Sequence, residues 1–273
     1  MYNQYNTSSF LQMKGFNLSS ESVIPAFLFA TLSYMIILFC NLTLILTIVL
    51  NRSLHQPMYL ILLNLPINDL IGSSALFPQL IKEILRNSGI MQYSACVAQA
   101  FFIHIYAAGT VFNLILIAVL FFLLLRLPRC RSEMTNPYCD NASLLTLVCA
   151  DTTINNIYGL LISAFSQLVA NGIVLYTYLR ILIACFRSKR SDTKAKALQT
   201  CATHLIVFLL LECLGLFTII SYRLSNVSPH FRRFMGLSTL IFPPTLNPII
   251  YGLKTKEIRE KVLNFLKNRM FSS

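Results

Sequence analysis

The stretch 98-AQAFFIHIYAAGTVFNLILIAVLFFLLL-125 decides how this chain must be read. From Ala98 to Leu125 it holds no Asp, Glu, Lys or Arg, and from Leu114 onward it is entirely apolar. As one continuous helix its 28 residues would reach roughly 42 Å, enough to cross a bilayer core of about 30 Å once, with tilt. Two full crossings would need roughly 40 apolar residues and a turn. The stretch therefore predicts a single spanning helix.

The remainder of the 273 residues is of the same kind. The chain is 56% hydrophobic and only 12% charged, about half the charge of an ordinary soluble domain. Its mean hydropathy is +0.65. The apolar residues fall in blocks of about 20 along the whole length, which predicts a polytopic helical protein whose partner is the lipid bilayer. The 22 Lys and Arg outnumber the 10 Asp and Glu, yet they cluster at the ends of apolar blocks. That pattern is membrane topology rather than nucleic-acid binding. The polar first 21 residues contain no short apolar core of the kind a cleavable signal needs.

Taken in order, residues 1–23 form an N-terminal tail with acceptor sequons for glycosylation at Asn6 and Asn17, which favours an extracellular tail. Span 1 covers about 24–50 and contains Asn41; span 2 covers about 57–81 and carries Asp69. The organising stretch follows as span 3. A polar segment, 126–156, then brings Cys130, Cys139, Cys149 and a third sequon at Asn141. Further spans are expected at about 157–186, 198–222 (with Glu212 inside) and 234–253, with a fourth sequon at Asn226 between the last two. From Lys254 the tail reads as an amphipathic helix, with Ile258, Val262, Phe265 and Leu266 on one face and basic residues suited to an anionic cytoplasmic leaflet. The whole chain is read as one receptor-sized domain.

Six spans fail a parity test. With an even number of crossings, segment 126–156 and loop 223–233 lie opposite the N-terminus, although all three regions carry sequons. The 187–197 loop holds five Lys and Arg and the tail six, and both belong inside. Seven spans and an outside N-terminus would satisfy every signal. One crossing is missing.

Several motifs resemble the olfactory receptor family of rhodopsin-like G-protein-coupled receptors. Leu54-His55-Gln56-Pro57-Met58-Tyr59 is similar to that family's first inner loop, and Leu65 with Asp69 to its span 2. Thr177-Tyr178-Leu179-Arg180-Ile181-Leu182 resembles the inner end of its span 5. Lys196-Ala197-Leu198-Gln199-Thr200-Cys201-Ala202-Thr203-His204-Leu205 resembles the start of its span 6. Pro243-Pro244-Thr245-Leu246-Asn247-Pro248-Ile249-Ile250-Tyr251 resembles its span 7. The family's Met-Ala-Tyr-Asp-Arg-Tyr motif is absent: counted from Cys96, Ile117-Ala118-Val119 take its first positions and Leu120-Phe121 replace Asp-Arg. The implied fold is a rhodopsin-like seven-helix, all-α membrane bundle from which one crossing is deleted, leaving about six spans and a C-terminal amphipathic helix.

The resemblance also implies roles. Asp69, Asn41 and Asn247 would form a water or sodium site, in keeping with the cost of an ionisable group inside a span. His104, Ala107, Ala108 and Phe112 would line one wall of a ligand pocket, the small residues leaving room for a small-molecule odorant. Glu212 is expected either to face that pocket, favouring cationic or hydrogen-bonding ligands, or to meet a neighbouring helix. Four outer cysteines suit an oxidising compartment and by themselves allow three pairings; the resemblance implies Cys96–Cys139 and Cys130–Cys149. A heterotrimeric G protein would be the inner partner, and the plasma membrane the location.

No catalytic constellation, metal-ligand spacing or cofactor motif occurs, so an enzyme is not expected. A transporter would show internal repeats with paired broken helices, and none is present. The absent Asp-Arg-Tyr motif raises an alternative, a receptor-derived chain that does not signal. A span 3 that crossed once would also put a sequon or a basic cluster on the wrong side, which predicts retention in the endoplasmic reticulum.

Overall fold

The computed structural model describes residues 9–14, 16, 18–55, 59, 63–86, 89–108, 112–134, 136–187, 205, 208–221, 227–254 and 258–264. They fall into two units, Met1–Thr152 with Leu240–Ser273, and Thr153–Thr239.

In the first unit, helix α1 (Ser20–Leu50) starts after Ser19, with Glu21 in a first turn whose free N–H groups favour an acid. It stops at Asn51, whose side-chain amide donates back to the Thr47 carbonyl at 2.7 Å. Ile37, Asn41, Leu44 and Ile48 are buried along one stripe, while Phe29, Leu32, Phe39, Leu42 and Leu46 are exposed on the rest. That division is what a helix between protein and lipid requires. The buried stripe meets α2 (Asn64–Arg86), where Tyr34 stacks on Phe77 at 5.3 Å and its hydroxyl donates to Ser74 Oγ at 3.3 Å.

The stretch 98–125 is not one helix. It lies in two, α3 (Tyr93–Ala108) and α4 (Phe112–Leu125), and residues 109–111 between them lie outside the described ones. The two helices pack together and run antiparallel. Phe121 sets its ring edge-on against Phe101 and against His104, each at 5.5 Å, while Arg129, just past α4, places its guanidinium 4.2 Å from the ring of Tyr93 at the start of α3. The chain therefore returns to the side from which it entered. At 1.5 Å per residue α3 is about 24 Å long and α4 about 21 Å, each shorter than a bilayer core of about 30 Å. This corrects the single crossing expected from the sequence. A length of apolar chain limits how far it can reach, but whether it continues or doubles back depends on which side chains find partners, and Phe121 finds its partners on α3.

α3 is held against α2 by close approach. A Cβ on Gly72 would lie 2.5 Å from ring carbons of Tyr106, so only glycine fits there. Asn68 Nδ2 donates to the Tyr106 carbonyl and Gln99 Nε2 to the Ala75 carbonyl, both at 3.0 Å.

Over one end of this group lies a small sheet, which the sequence reading of a polar tail, loop and segment does not predict. Strands β1 (Phe10–Met13), β2 (Ile90–Gln92) and β3 (Glu133–Met134) are ordered β2-β1-β3. β1 pairs antiparallel with β2 (Leu11 opposite Met91) and parallel with β3 (Met13 opposite Met134). Alternation along β1 buries Leu11 and Met13 in the cluster that also holds Ala100, Ile117, Phe121, Leu124 and Leu144. The turn into β2 needs Gly89, at φ +64°, where a Cβ would overlap the Met13 carbonyl oxygen. Its N–H donates to Glu83 Oε1 at 2.9 Å, and burial pushes the Glu83 carboxyl above its ordinary value, opposed by that hydrogen bond and by Lys82.

After the hairpin, Cys130 and Arg131 donate to the Leu147 carbonyl, at 3.1 and 3.2 Å. Asp140 caps the short α5 (Asn141–Leu145) by accepting from the Ser143 N–H at 2.7 Å. In the second unit, α6 (Thr153–Arg187) is a long apolar helix and α7 (Phe208–Ser221) a shorter one. α8 (Pro229–Lys254) begins in that unit and ends in the first. A final helical turn, α9, covers residues 258–264, and its Ile258 is buried with Leu44, Ile48, Leu54 and Tyr59.

A hairpin that enters and leaves on one side removes the parity conflict, because the N-terminal tail and segment 126–152 then share the outer side while the 187–197 loop is inside. In sealed microsomes, added trypsin should cut at Arg187, Lys189 and Arg190 and spare Arg126, Arg129 and Arg131. Cleavage at Arg131 without detergent would show that the stretch crosses instead.

Candidate functional site

Asp69 lies deep in the first unit, only 2% exposed. Its position on α2 puts it opposite Asn247 of α8, whose Nδ2 donates to both carboxylate oxygens, at 3.3 and 3.1 Å. Asn41 is fully buried on α1; its Nδ2 donates to Ile37 O at 2.9 Å and to Pro244 O at 3.1 Å. That carbonyl is free to accept because Pro248, four residues on, has no N–H to offer it. The three residues grouped by resemblance thus tie α1, α2 and α8 together. Among the described residues Asn41 Oδ1 has no partner, and the carboxylate of Asp69 can accept more hydrogen bonds than Asn247 gives it. Among the described residues no cluster of His, Cys, Asp and Glu is arranged to hold a metal ion by itself.

At the other end, Cys96 is bonded to Cys139 and Cys130 to Cys149, with Cα separations of 5.4 and 5.8 Å. The first bond joins α3 to the segment after the hairpin. Gln99 reinforces it, since its Oε1 accepts from the Cys139 N–H at 2.9 Å while its Nε2 reaches α2. Sequence reasoning passed over Gln99, although an amide in an uncharged apolar run is itself a signal that backbone partners await it. Burial raises the Tyr93 phenol above its usual value, and the Arg129 cation on its ring opposes that rise. Cys40 and Cys213 are free thiols.

The pocket wall expected from resemblance is only partly brought together. His104 is used for packing: Nδ1 meets the Ala100 carbonyl at 3.0 Å and the ring meets Phe121. Ala107 is exposed, and the side chains of Ala108 and Phe112 lie outside the described ones. Glu212 belongs to the second unit, where it accepts from Gln167 Nε2 on α6 at 2.6 Å. Asn6 and Asn17 also lie outside the described residues. The third sequon is folded in, with Ser143 3% exposed and bonded to Asn136.

Removing the donor of Asn247 strands a buried carboxylate, so Asn247→Ala should lower stability by about 1–3 kcal/mol. Thermal unfolding of the purified chain in detergent measures it. Mapping under non-reducing conditions should recover the Cys96–Cys139 and Cys130–Cys149 peptides as linked pairs; free thiols at Cys96 and Cys139 would contradict the hairpin.

Comparison with known proteins completes the picture. The solved crystal structure of squid rhodopsin matches with a TM-score of 0.54 at 12% identity, covering 93% of this chain and 88% of that one, which concerns the fold. The human proteins olfactory receptor 52D1 and olfactory receptor 52B2 are each 30% identical, the first over 85% of this chain and 86% of its own length, the second over 81% of each. The olfactory receptor family model matches twice, over residues 30–113 and 107–269. The two matches overlap at 107–113, across the end of α3 and the start of α4, which places the join ahead of Ile117-Ala118-Val119. Matched in this way along most of its length, and folded as a rhodopsin-like helical membrane protein, the chain belongs to the olfactory receptor family.

Proposed function

We propose that this chain is a chemosensory receptor of the plasma membrane that takes a small-molecule odorant among its helices. The observation that carries the reading is where the family match breaks. The break coincides with the reversal between α3 and α4, so the chain keeps what lies outward of it: the disulfides, the sheet and the upper helices. The Asp69–Asn247 contact, through which α2 and α8 act on one another, is kept as well. The hairpin also relieves the conflict that predicted retention, which favours passage to the cell surface.

One observation favours a second reading, that the bound state is not passed to a heterotrimeric G protein. A receptor signals by holding one helix arrangement in preference to another, and its partner must bind that arrangement more tightly. In this family the inner end of span 3 supplies an Arg for that contact. Here Phe121 faces back toward α3, and no inner end of span 3 exists to carry the Arg.

In cells expressing the 273-residue chain, surface staining should be positive and odorant panels should raise no cAMP. Inserting a family-typical inner loop with the lower halves of spans 3 and 4 between Ala108 and Phe112 should restore a ligand-dependent response. A robust cAMP signal from the unmodified chain would mean that another inner surface engages the G protein.

A further inference from the structure

The second unit holds an acid that the Asp69 group does not involve. Glu212 sits within α7, between Leu211 and Cys213, in a helix that is otherwise largely apolar. An ionised carboxylate only accepts hydrogen bonds, so the contact at 2.6 Å obliges Gln167 to turn its NH2 toward Glu212 and leaves Gln167 Oε1 uncommitted. One turn further along α6, Asn171 donates its NH2 to the Gln167 backbone carbonyl at 2.9 Å, which leaves Asn171 Oδ1 uncommitted too. One turn before, Ser163 gives its hydroxyl proton to the Gly159 carbonyl at 2.8 Å. Residues 159, 163, 167 and 171 lie four apart, on one face of the helix.

The result is a face with acceptors to spare, beside one remaining N–H on each amide. Glu212 Oε1, Gln167 Oε1 and Asn171 Oδ1 have no partner among the described residues. Among the described residues no cation pairs with Glu212 either. Arg180 of α6 directs its guanidinium to Tyr176 of its own helix, 3.1 Å from the hydroxyl. A carboxylate within a span that meets only a neutral amide marks a place where something binds. A guest that suits it must bring positive charge and several N–H donors, and a primary ammonium brings three.

We propose that Glu212, Gln167 and Asn171 form the polar end of the ligand site and select alkyl amines over alcohols and acids of the same length. This names the ligand class for the receptor reading above and rests on it. Purified full-length chain in nanodiscs is titrated with hexylamine, 1-hexanol and hexanoate at neutral pH, with thermal unfolding as readout. Hexylamine should bind about tenfold more tightly than hexanol, and hexanoate more weakly than both. Glu212→Gln keeps the size of the side chain and its contact with Gln167; it should reduce the amine preference to about twofold. Hexanol binding without an amine preference, or a preference that survives Glu212→Gln, would overturn the selectivity and leave the receptor reading in place. Sodium chloride stabilising the parent as much as hexylamine does, relative to choline chloride, would overturn it in favour of an inorganic cation. Failure of all three probes to bind would overturn both.

Discussion

Phe121 against Phe101 and His104 is the contact on which the outer part of the molecule depends. It holds α4 alongside α3, and two helices of about 24 and 21 Å cannot each cross a core of about 30 Å. Once the chain returns, Arg129 reaches Tyr93, Cys139 reaches Cys96, and β3 arrives beside the N-terminal strand. None of these contacts is possible if α4 continues in the direction of α3.

The buried polar groups show how the same chain can be stable in lipid and still do chemistry. Asn41, Asn68 and Gln99 each spend amide protons on carbonyls of neighbouring helices, so they join helices without leaving a charge unanswered. Asp69 is answered by one neutral amide from Asn247, enough to hold the carboxylate and too little to saturate it. Glu212 is answered the same way by Gln167. In both places the acid keeps an acceptor to spare.

The loss of one stretch of chain has unequal consequences for the two faces of the bilayer. The family match covers both sides of a join at residues 107–113, and the fold closes that join without disturbing the outer disulfides. On the reading proposed above, binding chemistry lives in side chains that are kept, whereas coupling lives in the helix end that is not.

The sequence alone was enough for everything that depends on composition and local order. A chain this apolar and this sparsely charged has to be helical in lipid, Asp69 and Glu212 stand out as acids inside spans, and the ordered motifs carry the family likeness. The partnership of Asp69 with Asn247 was legible only through that likeness, because the two lie 178 residues apart. The sheet was not legible, since four alternating residues in a polar tail become a strand only when β2 and β3 flank them. Nor was the direction of the stretch 98–125. Apolar residues with no charge and no proline specify a helix in lipid but say nothing of where it ends. Tertiary structure decided that, because the free energy of packing Phe121 on α3, together with the disulfide that follows, is gained only if the chain turns back.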